Sequence, residues 1–392
     1  MDSALHHPVT TSRLALRIAV GAMFFMAGLC FASWASRIPS IQQTLHLSDA
    51  GLGGVLLAIP TGLMCSLPFT GWIITKIGSR TLLIIAICLY ACFLVALGAA
   101  QTPVELIACL WCFGFVGNAA NIAVNTQAVA AERLYEKPIM ASFHGIWSLA
   151  GFTGAGIGIF MIGHKIIPFH HFIVILVLII IGVIVTSRQL NNDSGPVSKE
   201  EVVVLSIRDR LRTMVPLLKL GVIAFCSMIC EGTMFDWSGV YFRKVIHAEN
   251  GWIGAGYFAF MCFMAMGRFV ADWFASKYGL KRTLQISGTL TAIGLLVSVI
   301  FPYLWPSIFA FMLVGAGVSS VVPMIYSSVG KTATMSPGVA LTAVSTIGFS
   351  GFMIGPPLIG FIAGIATLRA SFLLIACMGM CVTILSTMAK LD

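Results

Sequence analysis

The stretch CEGTMFDW, residues 230–237, lies inside an apolar run at 217–241, LLKLGVIAFCSMICEGTMFDWSGVY. That run is long enough to cross a bilayer, yet it holds two carboxylates, Glu231 and Asp236. A charge near the membrane centre costs roughly 2.5–3.5 kcal/mol on insertion scales, so such residues are rare and mostly functional. The rest of the chain supplies the same solvent for this segment. Of its 392 residues 58% are hydrophobic and 9% charged, with a mean hydropathy of +0.98. That excludes a soluble enzyme and implies an all-α membrane protein, because lipid leaves no partner for an open backbone.

Outward from 217–241, apolar runs of bilayer length, about twenty residues, recur along the whole chain. The first six are 18–39, 51–75, 81–100, 104–130, 140–163 and 166–186. A polar stretch follows, and then 215–241, 251–275, 283–301, 306–329, 339–365 and 370–388. The pattern predicts 12 transmembrane helices in two halves. These are an N-terminal six-helix bundle (1–186), a cytosolic linker (187–214) and a C-terminal six-helix bundle (215–392). The net charge of +9 is not a nucleic-acid footprint, because Lys and Arg cluster in short loops rather than on one face. Seventeen of them fall on the side of the N-terminus and five on the other. This bias predicts both termini in the cytoplasm. A cleaved signal peptide is disfavoured because the first run is too long. The eleven cysteines lie in or beside apolar runs and read as small packing residues.

The halves echo each other. GWIITKIGSR (71–80) follows the second run and DWFASKYGLKR (272–282) follows the eighth. Half-chain repeats accompany two-bundle transporters with a midplane site. With its twelve runs, the chain resembles the major facilitator superfamily, whose loop motif is matched by Gly71, Gly78 and Arg80. Thr75 and Ser276 stand where that motif has Asp. FASWASRIPSI (31–41), NIAVNTQAVAAER (121–133), FHGIWSLAG (143–151), EGTMFDW (231–237), GRF (267–269) and GPPLIG (355–360) look like the YbjJ-like bacterial inner-membrane group. NAAN (118–121) is similar to a fragment in fucose–proton symporters. The resemblance implies alternating access, two bundles with pseudo-twofold symmetry and a proton-linked organic solute. It implies no cofactor, and as partners only solute, protons and membrane lipid, with the protein acting as a monomer in the bacterial inner membrane.

Within this frame the candidate residues sort by position. Glu231, nearer the midplane, is the expected proton carrier. Asp236 is five residues on and about 140° round a straight helix. Asp236 is the second proton-coupling candidate if a break at Gly232 lets both acids face one cavity; otherwise it is expected at a helix end or gate. Asn118, Asn121 and Asn125 share one face of the fourth run and are expected to meet a polar, sugar-like solute, whereas Gln127 points away. Trp34, Trp147, Trp237 and Tyr326 are further substrate candidates, Trp34 having membrane-belt anchor as its alternative. Arg37 reads as a gate or a snorkelling residue. His144 reads as a proton relay or a hydrogen-bonded histidine. Arg268 and Asp272, four apart, read as an ion pair or gate. Gly355 and Pro356 mark a helix that bends. No phosphate-binding loop, metal spacing or nucleophile–base pair occurs, so ATP-driven transport and catalysis are unsupported. An efflux antiporter, a passive facilitator and a non-transporting sensor are the alternatives on the same fold.

Overall fold

The computed structural model describes residues 12–135, 139–191, 207–332 and 337–388. Its N-terminal half contains α1 (Arg13–Thr44), α2 (Asp49–Leu56), α3 (Ala58–Ala99), α4 (Pro103–Glu132), α5 (Met140–Gly163) and α6 (Pro168–Thr186). The C-terminal half contains α7 (Ile207–Lys244), α8 (Ala255–Tyr278), α9 (Leu280–Ile300), α10 (Leu304–Thr332), α11 (Pro337–Ile365) and α12 (Leu368–Met388). Among the described residues eleven segments are long and apolar enough to cross a membrane, but one, Asp49–Ala99, runs for 51 residues. Straight, it would reach about 75 Å against a hydrocarbon core of about 30 Å. It is broken at Gly78, where φ is 79° and ψ 158°, a conformation essentially reserved for glycine. The break makes two crossings of one segment and gives twelve among the described residues.

The same break recurs 201 residues later at Gly279, with φ 81° and ψ 157°. The residues that replace the motif's Asp repeat at this spacing too. Thr75 Oγ1 donates to Trp72 O at 2.7 Å, and Ser276 Oγ donates to Trp273 O at 2.7 Å. Each hydroxyl turns back onto its own helix, whereas Arg80 reaches out and donates to Ser187 O at 3.0 Å. Helix pairing follows the repeat. In the first half α1 packs on α5, and α3 packs on both α4 and α6. In the second, α7 packs on α11, α8 on α10 and α9 on α12. A Cβ at Gly114 would meet Ile59 O at 2.1 Å, and one at Gly315 would meet Phe260 O at 2.3 Å. Backbones approach this closely only over small residues, the usual source of helix affinity in lipid.

With an even number of crossings, both described ends fall on one side. Tyr135 donates to Arg13 O and Lys219 to Met388 O. The bundles join most tightly on the opposite, far side. There Gly53 abuts Pro356 and Gly360, Pro39 abuts Gly239, and Arg243 donates to Pro39 O. α5 and α8 stay in contact along their length, through Phe152 and Phe258 and through Gly145 and Phe269. Among the described residues no comparable packing joins α4 to α10 or α11. The expected linker is partly helical, because α7 starts at Ile207 and a short 3-10 turn spans Ser187–Gln189. Residues 192–206 lie outside the described ones.

Candidate functional site

α7 carries Glu231 into the middle of the protein, and the helix runs unbroken through Gly232. Gly232 therefore does not turn Glu231 and Asp236 to one side. Glu231 is buried and accepts from Arg268 of α8, with Nη2 to Oε1 at 3.2 Å. Helical spacing offers Asp272 as the partner of Arg268; the Asp272 side chain lies outside the described residues, and the carboxylate that Arg268 holds is Glu231. Burial accounts for the contact with Glu231, because a carboxylate taken out of water without a cation would cost far more than the pair does.

Arg268 also reaches the other bundle. Its Nη1 donates to Ser148 Oγ on α5 at 2.6 Å, and its guanidinium lies 5.8 Å from the centre of the Trp147 ring. A cation this close to an indole face is attracted by the ring quadrupole. One residue of the C-terminal half thus holds an acid of its own bundle and a hydroxyl and aromatic face of the opposite one. The Nε–H of Arg268 is sealed from the surface and has no partner among the described residues.

On the far side of this charge pair lies an aromatic layer centred on Phe235. Its ring meets Phe31 at 5.2 Å, Phe260 at 5.7 Å, and Trp147, Tyr257 and Phe352 each at 6.4 Å. These rings come from α1, α5, α8 and α11 and close the space between the bundles. Beyond them, at the far-side surface, Asp49 Oδ1 accepts from Lys244 at 2.5 Å and from Gln42 at 2.9 Å. A shallow cleft beside this latch is lined by Gln42, His46 and Arg243.

Several expected substrate contacts are buried instead. Asn118 donates to Ser66 Oγ at 2.6 Å and joins α4 to α3, so it is helix glue. Trp34 and Trp237 are 1% and 0% exposed, with indole N–H groups unpaired among the described residues. Neither lines an open space in this state, and Trp34 is no membrane-belt anchor. Tyr326 is half-buried against an apolar cluster that includes Val321, Ile325 and Val329. Asn121 and Asn125 remain accessible, and Asn125 Nδ2 donates to Asn121 Oδ1 at 3.0 Å. Gln127 packs elsewhere, as expected, donating to Ser79 at 2.7 Å.

The gating candidates also redistribute. Arg37 is 2% exposed and donates from Nε to His171 Nδ1 at 3.2 Å and from Nη2 to Ile166 O. It neither snorkels nor joins the bundles; it ties α1 to α6 and to the turn before it. Asp236 lies eight residues inside the end of α7, not at a helix end, and makes no hydrogen bond or ion pair with the described residues. His144 is exposed, with its ring edge-on to Phe24 at 5.5 Å. Gly355 and Pro356 are buried in α11, and the carbonyl of Pro356 is what a Cβ at Gly53 would strike. They therefore sit at the bundle crossing. The small residues of α5 pack as read: Gly154 takes Ala32 and Gly158 takes Ser36.

Twelve crossings in two repeated bundles, with a charged residue shared across their interface, define a membrane transporter. The model of the Major Facilitator Superfamily matches residues 20–333 and, in a second match, 247–391. The chain belongs to this superfamily. It is 30% identical over 372 residues to an uncharacterised MFS-type transporter of Yersinia pestis, covering 95% of each. It is also 30% identical over 367 residues to the membrane protein MosC of Rhizobium meliloti, covering 93% of this chain and 88% of the relative. Among solved structures it is similar to the nucleoside transporter NupG (TM-score 0.72, 14% identity, 95% of this chain and 98% of that one). It is likewise similar to an inward-facing bacterial homologue of the human lysosomal transporter Spinster (TM-score 0.74, 12% identity, 98% of each). At those identities the likeness concerns the fold. The protein is a transporter and not an enzyme.

Proposed function

We propose that this chain is a proton-coupled secondary transporter that moves a small polar, sugar-like solute across the bacterial inner membrane by alternating access, with both termini in the cytoplasm. The observation that carries this reading is the placement of Arg268 between Glu231 of one bundle and Ser148 and Trp147 of the other. Ionised Glu231 holds Arg268 on its own bundle and fixes the contact with α5. A proton taken up by Glu231 removes the charge attraction, and Arg268 is then free to follow Ser148 or the solute as the bundles rock. The packing supports a state closed on the far side by Asp49–Lys244 and the Phe235 layer, with the cytoplasmic side open. The solute enters from that side past Asn121 and Asn125.

The test is transport in vesicles of wild type and Glu231→Gln. Wild type accumulates the solute when a proton gradient is imposed, and the variant equilibrates it without accumulation. Unchanged uphill accumulation by the variant would remove Glu231 from the coupling role. The orientation of the flux is read by comparing right-side-out with everted vesicles.

A further inference from the structure

We propose that the solute carries a carboxylate, which docks on Arg268 in competition with Glu231. This rests on the transport reading above and adds the chemical class of the cargo.

The geometry points this way because Arg268 is held firmly but paired incompletely. One side of the guanidinium is fixed by Ser148 at 2.6 Å and oriented by the face of Trp147. Its link to Glu231 is a single contact at 3.2 Å, longer than the roughly 2.7–2.9 Å usual for a charge-assisted bond. The adjoining Nε–H is buried and has no partner among the described residues. A guanidinium offers Nε–H and one Nη–H as a parallel fork that matches the two oxygens of a carboxylate. Glu231 uses one tine of that fork. An incoming carboxylate that takes both satisfies the orphaned donor, displaces Glu231, and leaves Glu231 as an acid without its cation, ready to accept a proton. The Arg268 side chain is 19% exposed, which leaves it reachable, against 9% for Glu231. A phosphate fits less well. Among the described residues Arg268 is the one cation in contact with Glu231, and a dianion would be left half-compensated beside that carboxylate. The accessible amides Asn121 and Asn125 suit hydroxyls on the same molecule, so hydroxylated acids of sugar size are the first class to try.

The experiment is ligand binding to the full-length purified protein in nanodiscs, followed by thermal shift and titration. The probes are matched acid and neutral pairs: gluconate against gluconamide and glucose, lactate against lactamide, and benzoate against benzamide. At least one acid is expected to raise the melting temperature of wild type while its amide does not, and Arg268→Lys is expected to weaken that acid about tenfold or more, because a lysine cannot make the bidentate contact. Glu231→Gln, which keeps the guanidinium, is expected to bind the same acid roughly tenfold more tightly, because the competing charge-assisted bond is gone. If Arg268→Lys does not fold, Glu231→Gln carries the test alone. The proposal is overturned if no acid shifts wild type, if amides and acids act alike, or if Glu231→Gln binds the acid no better. Glucose or gluconamide accumulated uphill while acids are ignored would also overturn it, yet leave the transport reading standing. Acids that bind as expected but are never accumulated would spare this proposal and sink the transport reading instead.

Discussion

The molecule contains two ion pairs among its described residues, and they differ in every respect that sets their worth. Lys244 and Asp49 lie at the far-side surface, 2.5 Å apart, with side chains 39% and 18% exposed. Arg268 and Glu231 lie in the interior, 3.2 Å apart, with side chains 19% and 9% exposed. Distance alone would rank the surface pair as the stronger. Solvent reverses the order for the consequences of breaking it. A solvated pair contributes about 0–1 kcal/mol, because water and salt screen it. Removing one partner of a buried pair strands a charge and costs about 3–5 kcal/mol. The surface pair joins the two bundles directly, whereas the buried pair lies within one bundle and touches the other through Ser148 and Trp147. On the proposed mechanism the first is a latch that opens at little cost, and the second a switch that must be neutralised before it moves.

The comparison breaks most visibly at Arg268. Arg268→Ala strands Glu231 and is expected to destabilise the protein by about 3–5 kcal/mol, read as a fall in thermal stability in detergent. Arg268→Ala with Glu231→Ala should recover much of that loss, and equal damage in the single and double variants would show that the pair is not coupled. Next come the two glycine breaks. Gly78→Ala and Gly279→Ala each place a side chain where φ is near 80° and are expected to cost about 1–3 kcal/mol. The repeat predicts similar losses for both, so a marked inequality would argue against the two turns doing the same job. At Lys244 the expected loss of stability is smallest. Lys244→Ala should change it by about 1 kcal/mol or less, shrinking further in high salt. It should nevertheless raise the labelling rate of a cysteine placed at Gln43, on the far side, if that pair is a latch. An unaltered rate would make the pair ornamental.

Much of this was legible in the sequence. Apolar run length gave the crossings, and Lys76-Ile77-Gly78 and Lys277-Tyr278-Gly279 marked the repeat that the backbone angles bear out. Glu231 was legible as a candidate from its cost in lipid. Its partner was not. Helical spacing sets Arg268 four residues from Asp272, whose side chain lies outside the described residues, and gives no sign of Glu231, the acid 37 residues away on another helix that Arg268 holds. Periodicity reports which residues share a face and is silent on what that face meets. The same limit hid the bond from Asn118 to Ser66, the burial of Arg37 against His171, and the reach of Lys244 to Asp49 across 195 positions. Asp49 drew no notice because an acid at the start of a helix already has a local explanation in the helix dipole. Trp34 and Trp237 misled because a tryptophan in an apolar run reads equally as belt, core or binding wall.

The central claim is that the charge on Glu231 controls whether the bundles rock. The most direct measurement is an electron–electron distance between spin labels at Val129 on α4 and Lys277 on α8, recorded across a pH series for wild type and Glu231→Gln. Acidification should shift the distance distribution of wild type, because protonated Glu231 releases Arg268, and the variant should already show the acidic distribution at every pH. An identical pH-dependent shift in both proteins would contradict it.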